Sequence, residues 1–423
     1  MSPFRKLFGS VVSYASANVI NSAIPFFLLP VLTRVLSPGE YGIVAMLTTV
    51  MSVLSAFTGL SLHGAVSVRY FDRETNHPRF LGTSLAVLSG STLLTLLVVF
   101  FVSSPLSRWV NLPVEWLLVA VLASAAQTIM QIRLVVWQVK NQVLRYGIFQ
   151  ISQTLFNLSL SLGLVLVLGM GWEGRGLGLV SAVFLFGLLA LYSLQRAGGI
   201  DWRFDIEYAK AALRFGGPLI PHAIGGMMIA MSDRFIITSV LGVTATGSYA
   251  VGAQMGMVVG ILVDAIVKAF GPHLLSELQG RDRDSGIRIV RQCWVSFLFF
   301  LILAISYVSL LPYVYPWIVG REYGDSLKAA QLIGFGNAFM GMYYVVVGFV
   351  FFAERTAYLA KLTFCIGVFN VILTVFLVNR LGVIGAAWSY VLVQMAFFFG
   401  AWYIAQKILP LPWFSALLEN KSP

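Results

Sequence analysis

Long apolar runs, separated by short polar breaks, follow one another along almost the whole chain. A helix needs roughly 20 mostly apolar residues to cross a bilayer. Twelve runs meet that requirement: 10–33, 41–66, 80–103, 115–138, 146–169, 175–195, 212–239, 246–270, 288–311, 327–352, 357–379 and 382–406. The pattern predicts an all-α integral membrane protein. No connection between runs is long enough to fold as a separate domain. The two longest, about 196–211 and 271–287, are amphipathic (FDIEYAKAALRF and LLSELQGRDRDSGIRIV) and predict segments lying at the membrane surface.

The turns between runs repeat. VLSPGEYG (35–42) joins runs one and two, and VLGVTATG (240–247) joins runs seven and eight, 205 positions later. GWEG (171–174) and GVIG (382–385) stand between runs five and six and between runs eleven and twelve, 211 apart. Six crossings per half is an even number, so both halves enter from the same side. Two six-helix lobes related by a parallel repeat follow, an arrangement that transporters use with the substrate path between lobes. We divide the chain into an N-lobe (1–195), an interlobe linker (196–211) and a C-lobe (212–423).

Composition narrows the class. With 58% hydrophobic and 11% charged residues and a mean hydropathy of +0.86, an ordinary soluble domain is excluded. The net charge of +11 raises nucleic acid as a partner. The basic residues, however, sit in short loops between apolar runs, where they set topology and not nucleic-acid binding. With the N-terminus inside, 20 of the 28 Lys and Arg fall on the cytoplasmic side and six outside, while Arg133 and Arg234 lie within runs. That asymmetry predicts cytoplasmic N- and C-termini. The first run follows Arg5 and Lys6, carries Asn18 and Asn21 and lacks a small-residue cleavage site, so it reads as a spanning helix and not a signal peptide. Cys293 and Cys365 fall inside apolar runs without metal-ligand spacing and read as packed thiols.

Polar residues recur at helical spacing inside the runs. The candidates are Asn18 and Asn21 in the first, His63 in the second, Gln127 and Gln131 in the fourth, His222 in the seventh, Asn337 and Tyr344 in the tenth and Asn370 in the eleventh. Two readings stand side by side: helix–helix packing through small and amide side chains, or the lining of a hydrated cavity. Gly252, Gly256 and Gly260 suit packing. Arg133 is off the glutamine stripe and can snorkel, rest on Trp137 one turn later, or bind an anion. Asp264 and Lys268, four apart, form a local ion pair or serve a coupling ion and a phosphate. Asp233 and Arg234 neutralise one another or divide the same roles. Pro218 and Pro221 predict a bend or break in the seventh run, matched by Pro25 and Pro30 in the first, and these four are candidate hinges.

Catalytic signatures are missing. There is no HExxH, GxSxG, P-loop or paired cysteine motif, and His63, His77, His222 and His273 lack ligand spacing, so no metal or cofactor is expected beyond H+ or Na+ coupling.

LTRVLSPGEYG (32–42), VRYF (68–71), RFGGPLIPHAIGG (214–226), SDRFIITSVLG (232–242) and GSYAV (247–251) resemble the Wzx-type polysaccharide-repeat flippases of the multidrug/oligosaccharidyl-lipid/polysaccharide exporter superfamily. Arg34, Gly42, Pro218, Asp233, Arg234 and Gly247 fall on that family's motif positions. The resemblance implies two six-helix bundles in a V that alternates between inward- and outward-open. It also implies an undecaprenyl-diphosphate-linked oligosaccharide as substrate in the bacterial inner membrane, with polymerase and chain-length proteins of the same pathway as candidate partners. Under it, Arg133, Lys268 and Arg234 are candidates for the diphosphate. The amide, His and Tyr positions are candidates for sugars, and Asp264 and Asp233 for the coupling ion. Competing readings are a lipid II flippase, a cation-coupled drug exporter and a membrane polysaccharide polymerase or ligase; the last needs a larger outer loop than this chain has.

Overall fold

The protein is described from a computed structural model covering residues 25–72, 74–217, 219–277, 283–353 and 355–413. Asn18, Asn21 and Pro218 lie outside these residues, as do the side chains of Pro221 and His222. The described residues form fifteen α-helices. In order they are α1 (Pro25–Val35), α2 (Pro38–Gly59), α3 (Leu62–Arg69), α4 (His77–Phe101), α5 (Ser103–Val110), α6 (Val114–Val139), α7 (Val143–Leu162) and α8 (Gly171–Arg196). Then come α9 (Ile206–Gly216), α10 (Leu219–Leu241), α11 (Val243–Glu277), α12 (Arg283–Ile318), α13 (Ser326–Phe352), α14 (Thr356–Leu381) and α15 (Val383–Ile408). Ten of the helices are long and apolar enough to cross a membrane. Helix α10, of 23 residues, and α1 complete a helical counterpart for each of the twelve runs. The protein is a multi-pass, all-α membrane protein.

Three departures from the sequence pattern have local causes. The second run is two helices, because Leu60 and Ser61 take left-handed backbone (φ 44° and 54°) and end α2. Gly216 packs against the Leu60 carbonyl so closely that any Cβ there would overlap it. The segment 271–277 continues α11 as helix, and 283–287 opens α12. The seventh run begins in α9, stops after Gly216 and restarts at Leu219. Pro221 therefore stands in the first turn of α10, where its missing N–H is not required. Pro30 lies inside α1, and its carbonyl accepts from the Arg34 guanidinium. One cysteine also departs: Cys293 is buried as expected, but Cys365 is exposed.

Contacts divide the chain into two compact units, Met1–Met227 with Leu241–Gly247, and Met228–Val240 with Ser248–Pro423. In the first, α2 starts with a capping box. The Ser37 hydroxyl accepts from the Glu40 amide, the Glu40 carboxylate accepts from the Ser37 amide, and Pro38 occupies the first turn. That start lies against residues 243–247. A Cβ on Gly42 would overlap the Val243 carbonyl, and a Cβ on Gly247 would overlap the Pro38 carbonyl. Positions 38 and 42 are displaced from 243 and 247 by the 205 residues of the turn repeat. The contact is reciprocal in the manner of a two-fold interface, residue for residue.

Linker residues 197–205 lie on the start of α4. The Asp201 amide donates to the Pro78 carbonyl (2.9 Å), Arg79 pairs with Asp205 (3.2 Å), and the Tyr208 hydroxyl accepts from the Asn76 amide (3.0 Å). In the second unit, Gly252, Gly256 and Gly260 bring α11 onto Ala329, Ile333 and Asn337 of α13, the packing role of small residues between membrane helices. An aromatic cluster of Trp294, Phe297, Phe398, Trp402 and Trp413 closes that unit's core.

Gly42→Ala and Gly247→Ala should each lower stability by about 1–3 kcal/mol, because backbone carbonyls cannot yield as side chains do. Gly90→Ala, a helix-interior glycine with open space around it, should be neutral or stabilising by about 0.5–1 kcal/mol. Thermal unfolding of the purified protein in one detergent measures all three.

Candidate functional site

Hydrogen bonding within the second unit sorts the polar residues into those with partners and those without. Asn337 is fully buried. Its amide nitrogen donates to the Gly256 carbonyl (2.9 Å) and its oxygen accepts from the Tyr390 hydroxyl (2.7 Å). Asn370, also buried, donates to the Met228 carbonyl (2.8 Å) and the Ser232 hydroxyl (3.1 Å), and its oxygen accepts from Thr374 (3.3 Å). Thr374 in turn meets Ser389 (2.7 Å). Both asparagines tie helices together: Asn337 joins α13 to α11 and α15, and Asn370 joins α14 to α10. In this structure both amides are engaged by helix partners. A buried amide must find partners or incur a desolvation cost, and here helix carbonyls supply them.

Asp233 accepts from the Arg234 guanidinium (3.2 Å), the Arg234 amide (2.7 Å) and the Tyr249 hydroxyl (2.5 Å). Arg234 also reaches the Ala230 carbonyl (3.1 Å). The two charges neutralise each other. Lys268 and Asp264 form the local pair that their spacing allows (2.6 Å), with both side chains more than one-third exposed. Tyr344 is half-buried beside Tyr343 (centroids 5.6 Å apart) and within electrostatic reach of Asp264. Among the described residues its hydroxyl makes no hydrogen bond.

The first unit holds a buried in-run charge without an acid or carbonyl partner among the described residues. Arg133 is 5% exposed. Its guanidinium lies over the Trp137 ring, 4.3 Å from the centroid. Its Nε and the Trp137 Nε1 are buried without a hydrogen-bond partner, and like-charged Arg145 is close enough to interact. Cation–π contact stabilises such a group by about 2 kcal/mol or more when desolvated, while an unpaired buried cation costs more than that. Gln127 and Gln131, on the same helix, are half-buried and make no hydrogen bond among the described residues. His63 on α3 is likewise half-buried and unbonded, and α3 packs on α6 through Leu62, Ile132 and Val136.

Sequence reasoning missed several polar residues. Arg175, one of the six Lys and Arg counted outside although it opens the sixth run, stands in α8 and donates to Asn157 (2.7 Å) and Ser161 (2.8 Å) on α7. Tyr249, Tyr390 and Ser389 read as core until their partners are seen. The Thr58–Ser124 pair (3.0 Å) ties α2 to α6. No group of three or more His, Cys, Asp or Glu side chains suited to a metal ion occurs among the described residues.

The fold is that of flippase-type transporters. The chain is similar to the lipid II flippase MurJ in an inward closed conformation, with a TM-score of 0.75 at 12% identity over 96% of this chain and 91% of that one. It is also similar to a multidrug resistance MATE family transporter of the MOP superfamily in an inward-facing conformation (TM-score 0.68, 14% identity, 97% of this chain and 100% of that one). Residues 7–279 match the family described as polysaccharide biosynthesis protein, and the chain belongs to that family. The Lsg locus putative protein 1 of Haemophilus influenzae (strain ATCC 51907 / DSM 11121 / KW20 / Rd) is 24% identical over 84% of this chain and 87% of its own length. An uncharacterized membrane protein of the same organism is 27% identical over 63% of this chain and 64% of its own.

Asn337→Ala and Asn370→Ala should each destabilise by about 1–3 kcal/mol, the cost of leaving buried carbonyl and hydroxyl partners unsatisfied. Gln127→Ala should leave the thermal midpoint within about one degree, since it breaks no bond. Unfolding curves of the three purified variants separate positions that hold the fold from positions open to a ligand.

Proposed function

We propose that the protein is a flippase that moves an undecaprenyl-diphosphate-linked oligosaccharide from the cytoplasmic to the periplasmic leaflet of a bacterial inner membrane by alternating access. Family membership and fold support the class. The observation that carries the substrate reading is Arg133, a buried guanidinium with no anionic partner among the described residues, braced on an indole. Charge inside a membrane protein is expensive and marks substrate or ion pathways. A diphosphate presents several charge-assisted acceptors to such a donor. The prenyl tail stays in the bilayer, so only the diphosphate and sugars need a polar route. Gln127, Gln131, His63 and Tyr344, whose polar groups make no hydrogen bond among the described residues, are the sugar contacts in this reading. His222, Asn18 and Asn21 remain candidates by sequence. Lys268 and Arg234 are secondary cations, since each already holds a carboxylate.

In the same reading residues 1–195 and 212–423 are the lobes, 196–211 is the cytoplasmic linker, and both termini are cytoplasmic. Pro25, Pro30, Pro218 and Pro221 are the hinge positions in this reading. Asp264 and Asp233 are the carboxylates for a coupling H+ or Na+. The chemical work is transport, with no bond made or broken.

Arg133→Gln, expressed at wild-type abundance in a deletion strain, should lower surface polysaccharide about ten- to a hundredfold, from about 1.5–3 kcal/mol for a hydrogen bond to a charged group. Arg133→Lys should restore part of it, keeping charge without the planar fork. Wild-type surface polysaccharide in Arg133→Gln would refute the assignment. Loss of viability on deletion would favour lipid II as substrate, and a changed drug-susceptibility profile alone would favour drug export.

A further inference from the structure

Helix α9 carries Glu207, Lys210 and Arg214 at three- and four-residue spacing, so the three lie along one face, while Ala209 and Ala212 are buried on another. Asp205 caps its start by accepting from the Glu207 and Tyr208 amides. The Arg79–Asp205 pair and the packing of Tyr208 on Phe80 (centroids 5.6 Å apart) hold the helix on α4. The charged face is thus mounted on a fixed platform within the first unit.

Between this face and the end of α3 lies a cleft of about 620 Å3, lined by Arg69, Glu207, Lys210, Ala211, Arg214 and Phe215. A hollow of about 240 Å3 shares Arg69, Ala211 and Phe215 and adds an apolar floor that includes Val68 and Phe80, with Asp72 at its edge. Three cations face one carboxylate in the larger cleft. Lys210 holds Glu207 (2.8 Å), and Arg69 holds Asp72 (2.7 Å); each pair is solvent-exposed and therefore weak enough to open for a better anion. Hydrogen bonds from Thr75, the Glu74 amide and Arg69 keep the Asp72 carboxyl below its usual pKa, so it remains charged and hydrated when Arg69 leaves it. Arg214 is exposed and makes no hydrogen bond or ion pair among the described residues.

Exposed apolar side chains also occur on the segments that carry or adjoin these charges. Phe71, Trp202, Phe204 and Leu213 are all exposed. Aromatic and aliphatic exposure beside Lys and Arg is the mark of a surface seated at the headgroup level of a bilayer. A soluble anion uses only the cations. An anion tethered to a hydrocarbon stem uses the cations and the apolar floor together.

We infer that this cleft binds the phosphate of a lipid headgroup. Arg214 is the first contact, Arg69 and Lys210 turn from their carboxylates to the phosphate oxygens, and the lipid stem lies on Val68, Phe80 and Phe215. The site is separate from Arg133 and does not depend on transport.

The test uses the full-length protein in phosphatidylcholine nanodiscs with a small fraction of either phosphatidylglycerol or undecaprenyl diphosphate. Lipid retained after transfer to detergent is quantified by mass spectrometry. The wild type should retain the added phospholipid or diphosphate. Arg69→Gln/Arg214→Gln should lose it about 25-fold, from roughly fivefold per cation near a lipid surface. Arg203→Gln, removing an 82% exposed arginine paired with Asp201 outside the cleft, should retain it fully. Retention of both lipids identifies the anionic lipids of the bilayer as the source, and retention of the diphosphate alone identifies the substrate type; both outcomes support the site. Equal retention by the wild type and a monodisperse double variant, or an equal loss in Arg203→Gln, overturns it. If the double variant is not monodisperse, Arg214→Glu decides by the same measure, since that side chain has no partner to lose. Surface polysaccharide is not the readout, so failure here leaves the transport reading standing.

Discussion

The carbonyls of Pro38 and Val243 occupy the space where side chains at Gly247 and Gly42 would project. Two helix starts can meet backbone to backbone only if both positions carry glycine, because any larger residue forces carbonyl oxygens apart. The Ser37–Glu40 capping box satisfies the exposed amides at one of these starts, leaving its surface free to pack. The same constraint recurs elsewhere in the molecule. Gly216 against Leu60 and Gly82 against Asp201 admit α9 and the linker to the first unit, and the glycine row on α11 admits α13 to the second. A bilayer offers little hydrophobic gain for pressing one apolar helix on another, so close approach and hydrogen bonding must supply it.

Much of this was legible in the residue pattern. Run lengths placed the helices, because a membrane-crossing element has a fixed minimum length and satisfies its own backbone. The repeat of VLSPGEYG and VLGVTATG predicted two related lobes, but that the two turns meet was not legible from it. The break at Leu60–Ser61 was not legible. Neither residue type favours left-handed backbone, and apolar residues continue on both sides. The extension of α11 through 271–277 was hidden for a related reason, since helix period alone does not tell a surface helix from the continuation of a spanning one.

The polar residues were harder to read. Asn337 and Gln127 look alike in sequence, each an amide at helical spacing inside an apolar run. One is fully bonded between helices and the other is unbonded, and the difference lies in what the neighbouring helices present. Asn337 faces a glycine-bearing turn of α11 with an accessible carbonyl at Gly256 and a tyrosine at 390. No spacing rule reports that. Arg133 could be placed off the glutamine stripe by angle alone, and Trp137 one turn later was visible as a resting place. That no described acid pairs with it became evident only from the packing. Arg175 was misplaced because GWEG reads as a turn and continues instead as the first turn of α8.

The aromatic cluster of the second unit has its own outcome for the chain end. Trp413 lies beyond α15, yet it is 3% exposed. Its ring is parallel to Phe297 (centroids 6.2 Å apart), and its carbonyl accepts from the Trp294 indole (3.1 Å). The last described stretch is therefore a plug seated in the bundle, and not a tail leaving it. Any fusion partner, affinity tag or protease site has to be attached downstream of that tryptophan. One joined directly to α15 would uncork the bundle and expose four aromatic rings to solvent.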